Sequence, residues 1–126
     1  MTAPTPAEPQ RLTLLVVDDE PEIRDFLKSV FEEEGFLVHI APNGAVAWAL
    51  LQHTPVALVL TDFMMPRLTG VELVRHIMAH PQLRHIPVVL MSAVLPEYDL
   101  DLFSLVVEKP FSIWELIDRV RTIVSP

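Results

Sequence analysis

The chain has no cysteine, which excludes disulfide frameworks, thiolate zinc sites and thiol nucleophiles together. Basic residues are scarce: nine Lys and Arg face seventeen Asp and Glu, for a net charge of −8. Direct binding to nucleic acid or to an anionic membrane depends largely on basic patches, so neither is expected, and a basic surface on a protein partner fits better. Apolar residues make up 51% of the chain, yet no uninterrupted apolar stretch approaches a membrane span. The start also lacks an apolar signal core: residues 1–10 are rich in Pro, Ala and Thr and read as a short disordered lead. Residues 11–126 then form one domain of ordinary size with no room for a second. Nothing points outside the cell, and a cytoplasmic location is expected.

Residues 12–17, 56–60 and 86–91 are short, almost continuously apolar and β-branched, as strands buried on both faces would be. Helical patterns alternate with them. Residues 21–34 place Ile23, Phe26, Leu27, Val30 and Phe31 on one stripe, with Gly35 as the C-terminal stop. Thr69 with Glu72, and Ser112 with Glu115, read as capping boxes that open helices ending near Ala79 and Ile123. Residues 43–53 form a further helix, and 35–40 and 104–108 the remaining strands. The expected fold is α/β: a doubly wound, five-stranded parallel sheet of order 2-1-3-4-5, flavodoxin-like. Residues 92–103 leave little room for a helix and its loops, so the fourth helix is expected to be short, distorted or absent.

Asp18 and Asp19, Asp62, and Lys109 each stand where a buried strand ends. In such a sheet those ends converge on one crevice. Carboxylates crowded there are costly to keep ionised unless a divalent cation and the lysine compensate them, which points to metal-assisted chemistry at a carboxylate.

Asp18-Asp19, then Asp62-Phe63-Met64-Met65-Pro66 with Gly70, then Ser92, then Lys109-Pro110-Phe111, is an ordered set that resembles the receiver (CheY-like) domain of two-component response regulators. The likeness runs from about Leu12 to Val124. It implies that Asp62 is the phosphoacceptor, taking a phosphoryl group from a histidine kinase, a phosphotransfer protein or a small donor. It further implies a Mg²⁺ ion held directly by Asp19, through water by Asp18, and also by Asp62 and the backbone carbonyl of Met64. Lys109, on a cis peptide to Pro110, would pair with the phosphoryl oxygens, and Ser92, thirty residues beyond Asp62, would hydrogen-bond them. The plainer reading of Asp18, Asp19 and Glu20 is capping and dipole complementation of the helix that starts at Pro21, and both readings can hold at once.

The chain departs from that family on its output side. The aromatic residue that commonly lies three positions before the lysine is Val106 here, so an aromatic readout is absent or moved to Phe103 or Tyr98. The usual Gly-containing approach to the fifth strand is missing, and Lys109 follows Ser92 by only seventeen positions. Met64 and Val94, two residues beyond Asp62 and Ser92, are both apolar and are expected to exclude hydrolytic water.

His76 and His80, four apart, with His85 nearby, suggest a metal site less well than ordinary surface histidines. Trp48 reads as core or edge packing, and Trp114 as partly exposed. The leading expectation is a stand-alone phosphoacceptor signalling domain, monomeric or weakly dimeric, with an unknown downstream protein partner. It would not be an enzyme, because it catalyses only its own phosphorylation and dephosphorylation. One alternative is a receiver-like adaptor that binds partners without phosphorylation. Another is a Mg²⁺-dependent phosphatase, which would want a second aspartate where Met64 stands.

Overall fold

The computed structural model describes residues 11–125, so the expected disordered lead at 1–10 lies outside the described residues. Five strands form one parallel sheet in the order β2-β1-β3-β4-β5: β1 Thr13–Val17, β2 Leu37–Ala41, β3 Leu58–Asp62, β4 Val88–Ser92 and β5 Leu105–Glu108. The apolar runs are buried as their composition demands: every residue of β3 and β4 is inaccessible or nearly so, while β2 and β5 alternate or thin out at the edges. Two cores follow, one on each sheet face. Leu15, Val17, Val59 and Leu90 pack beneath the second and third helices, and Leu14, Val16, Leu60 and Met91 beneath the first and last.

Four α-helices connect the strands: α1 Pro21–Glu33, α2 Gly44–Leu51, α3 Gly70–Ala79 and α4 Ile113–Val124. Helix α1 stops at Gly35 because its φ of +96° is a conformation that a side chain would strain. Gly35 and Phe36 then donate back to the carbonyls of Glu32 and Phe31, and the Phe31 and Phe36 rings meet edge-to-face at 5.7 Å, which closes a Schellman end. The apolar stripe of α1 is narrower than its pattern suggested: Leu27 and Phe31 are buried, but Phe26 is 53% exposed. Five apolar positions span more arc than one packed sheet face covers.

Thr69 and Glu72 form both bonds of a capping box. Ser112 makes the side-chain half, its hydroxyl accepting from the Glu115 N–H at 3.4 Å. Between β4 and β5 the expected fourth helix is reduced to one 3₁₀ turn, Leu100–Leu102, with Phe103 buried behind it. Trp48 packs against His76 and His80 at ring separations of 5.3 and 5.9 Å, and the His80 Nδ1 accepts from the Gln82 N–H. These two histidines are thus engaged in packing between α2 and α3. Trp114 is 72% exposed. No helix among the described residues is long and apolar enough to cross a membrane.

Candidate functional site

The strand order reverses between β1 and β3, and the residues at their carboxyl ends open into one crevice there. Asp18 follows β1, Asp62 ends β3, Ser92 ends β4, and Lys109 follows β5. The fold therefore brings Asp18, Asp19, Asp62, Ser92 and Lys109 to one place. Asp62, Asp19, Ser92, Lys109 and Met64 line a cavity of about 290 Å³, with Glu20, Ile23, Ala93 and Val94 completing its wall.

Lys109 is the electrostatic link. Its Nζ lies 3.4 Å from Asp18 Oδ2 and 3.5 Å from Asp62 Oδ2, longer than a tight hydrogen bond and suited to a charge shared between two partners. The opposite carboxylate oxygens are held locally: Asp18 Oδ1 accepts from the Glu20 N–H at 2.9 Å, and Asp62 Oδ1 from the Phe63 N–H at 2.7 Å. Both carboxylates are oriented by backbone and turn their second oxygen toward the lysine. The Ser92 hydroxyl accepts from the Val94 N–H at 3.3 Å, and the Lys109 peptide to Pro110 is cis.

Burial sets the protonation balance. Desolvation pushes the Asp18 carboxyl above its ordinary value, against the pull of the Glu20 N–H and the Lys109 charge. Desolvation also pulls Lys109 down, but Asp18 and then Asp62 outweigh it and its ammonium is held above the ordinary lysine value. Oxygen atoms of Asp18, Asp19, Glu20 and Asp62 all lie within 4.8 Å of one another. One lysine against four carboxylates leaves three formal negative charges on a small, partly desolvated cluster. An all-oxygen donor set with excess negative charge is what a hard divalent cation takes, so the residues present fit Mg²⁺.

A side-chain cap from Glu20 is absent, although these acids still lie at the N-terminus of α1. Glu20 is the N-cap residue of α1 and makes no side-chain capping bond, which leaves its carboxylate and that of Asp19 facing the crevice. Two contributors had not been singled out for the site. Glu20 joins the carboxylate cluster, and Arg24 on α1 donates through Nη1 to the Asp18 backbone carbonyl at 2.8 Å. Gly70 earns its place by closeness: a Cβ there would sit 2.3 Å from the Asp62 carbonyl oxygen. Only glycine lets α3 start directly under the strand that carries Asp62.

A profile described as "Response regulator receiver domain" matches residues 14–121, most of the chain and every residue of this crevice. The chain belongs to the response regulator receiver family. The receiver is 39% identical over 92 residues to the 3',5'-cyclic-nucleotide phosphodiesterase regA of Dictyostelium discoideum, covering 71% of this chain but 12% of that protein. It is 32% identical to the response regulator receiver protein CpdR of Brucella abortus, covering 86% of this chain and 92% of that one. Among solved structures, TrrA of Thermotoga maritima, crystallised in complex with Mg²⁺-BeF, is 31% identical with a TM-score of 0.81, covering 89% of this chain and 98% of TrrA. The receiver spans between 37% and 53% of several further relatives. The fold expected from sequence, including the strand order, is the one these receivers share.

Proposed function

We propose that this receiver is a phosphorylation-controlled signalling module of a two-component or phosphorelay pathway, with Asp62 as its phosphoacceptor. The single observation that carries this reading is the placement of Lys109 between Asp18 and Asp62, at 3.4 and 3.5 Å, with Ser92 on the same cavity wall. A carboxylate oxygen of Asp62 bonds to phosphorus as the donor's P–N bond to histidine, or P–O bond to acetate, breaks. Lys109 supports the negative charge on the phosphoryl oxygens, and the Ser92 hydroxyl turns to donate to one of them. Asp18, Asp19, Asp62 and the Met64 carbonyl would hold Mg²⁺. When bound, that cation offsets charge on the carboxylates and on the transferring group.

The donor is the phosphohistidine of a histidine kinase or phosphotransfer protein, and the receiver turns over no external substrate. It works as a monomer or weak dimer and passes its state to a downstream protein. TrrA's complex with Mg²⁺-BeF supports the assignment of Mg²⁺ by likeness. A second reading, a constitutive adaptor, draws on the 3₁₀ turn that replaces the fourth helix and on Val106, which packs into the core without a ring to swing.

Incubation with Mg²⁺ and acetyl phosphate followed by intact mass measurement separates the two. Gain of one phosphoryl group, lost in Asp62→Asn and without metal, is the expected result. No gain by the folded protein moves the assignment to the adaptor.

A further inference from the structure

Beside the 3₁₀ turn that stands where a fourth helix was expected lies a further concavity. Between the first half of α3 and the bends that precede the 3₁₀ turn lies a groove of about 340 Å³. Phe63, Val71 and Pro96 form its apolar base, and Tyr98, the only tyrosine of the chain, stands at its edge 74% exposed. Its rim is acidic. Arg75 is engaged by Asp99 in an ion pair across the mouth, which leaves Glu72 and Glu97 as net negative charge. Asp99 holds a left-handed conformation, φ +67°, at the point where that pair ties the segment to α3.

Both walls run straight back to the phosphoacceptor crevice. Phe63 follows Asp62 and donates its N–H to the Asp62 carboxylate. The opposite wall continues from Ser92, whose hydroxyl accepts from Val94 two residues before Pro96. A phosphoryl oxygen that takes over the Ser92 hydroxyl alters the bond anchoring this wall.

We propose that this groove is the receiver's output surface, taking a short protein segment with a large apolar side chain flanked by Lys or Arg, under control of the state of Asp62. An apolar base with a charged rim is the anatomy of a protein contact, and its volume suits one anchoring side chain. The occupant is basic because the rim and the whole chain are acidic; a second copy, also at −8, would be repelled. The control half rests on the phosphoacceptor reading, and the docking half does not.

The test titrates ¹⁵N-labelled full chain with a twelve-residue Leu/Trp/Lys amphipathic peptide, and with its Glu-for-Lys counterpart, each with and without Mg²⁺ and beryllofluoride. The lysine peptide is expected to shift Phe63, Val71 and residues 97–99, and the glutamate peptide is not. Glu97→Lys and Tyr98→Ser, both at exposed positions, weaken binding about tenfold, whereas Asp118→Lys on α4 leaves it unchanged. Beryllofluoride with Mg²⁺ changes the affinity at least threefold. Equal binding of the two peptides, or shifts centred on Asp19 and Glu20, would falsify the docking surface. Groove binding that ignores beryllofluoride, on protein that does accept a phosphoryl group from acetyl phosphate, overturns the control half alone. Groove binding by protein that accepts none overturns the phosphoacceptor reading and upholds the docking surface.

Discussion

Arg24 reaches back from the first turn of α1 to donate to the backbone carbonyl of Asp18 at 2.8 Å, and its Nε is buried with no hydrogen-bond partner among the described residues. A guanidinium bonded to the backbone between β1 and α1 fixes the turn that presents Asp18 and Asp19. Such bonds to charged groups are worth about 1.5–3 kcal/mol, and supports of this kind commonly shift metal affinity by about tenfold or more. Arg24→Ala is therefore expected to weaken Mg²⁺ binding about tenfold by calorimetry, with the fold retained. Arg24→Lys, which keeps a donor, recovers part of the loss; equal affinities in all three proteins would show that the turn holds itself.

Asp18 has no exposed surface, and desolvation is the largest influence on its carboxyl, raising it above 3.8 despite the Glu20 N–H and Lys109. A carboxyl raised in the folded state favours folding while it is protonated and loses that contribution as pH rises through the folded value. At neutral pH without metal, ionised Asp18 thus weighs against the fold. Asp18→Asn keeps the volume and the acceptor for Glu20. It is expected to melt several degrees higher than the parent at pH 7 in chelator, with the gap narrowing as pH falls toward about 4. Excess Mg²⁺ should raise the melting point of the parent more than that of the variant.

Gly70 tests how tightly α3 is coupled to Asp62. Its missing Cβ would meet the Asp62 carbonyl oxygen at 2.3 Å and the Phe63 Cα at 3.2 Å, both backbone atoms that cannot swing aside. Gly70→Ala is expected to cost about 1–3 kcal/mol in urea unfolding, the range for overpacking, and to slow phosphorylation by acetyl phosphate. A variant of unchanged stability would mean that α3 moves away freely, against the 3.1 Å bond from the Gly70 N–H to the Phe63 carbonyl.

The strands were legible because burial on both faces leaves continuous apolar runs, and the crevice because strand ends in a parallel sheet converge. What sequence hid was of another kind. Arg24 bonds a backbone carbonyl, and such a contact leaves no complementary residue to find. Phe26 fits the helical stripe but lies beyond the sheet's reach, since periodicity records a direction and not where the opposing surface stops. Glu20 looked like a cap because acids before a helix usually are. The bond from its own N–H to Asp18 instead sets the turn that turns its carboxylate to the crevice. The groove beside α3 lies next to the 3₁₀ turn that stands where a fourth helix was expected, which a linear pattern registers only as a shortage of residues.

Met64 and Val94 both line the crevice that holds Asp62 and are 59% and 60% exposed. Hydrolysis of an aspartyl phosphate needs a water placed opposite the Asp62 oxygen, and a polar side chain at the mouth would bind and orient such a water. Two apolar side chains offer it no hydrogen bond. The phosphorylated state is accordingly expected to be long-lived, and Met64→Asn and Val94→Glu each to speed phosphate release about tenfold, followed by the decay of the phosphorylated mass. Because both positions are exposed, neither change should disturb folding, so a rate difference reports on water at the phosphoryl group. Unchanged decay in both variants would mean that the mouth does not control water access, and that lifetime is set deeper in the crevice, where Lys109 faces Asp62.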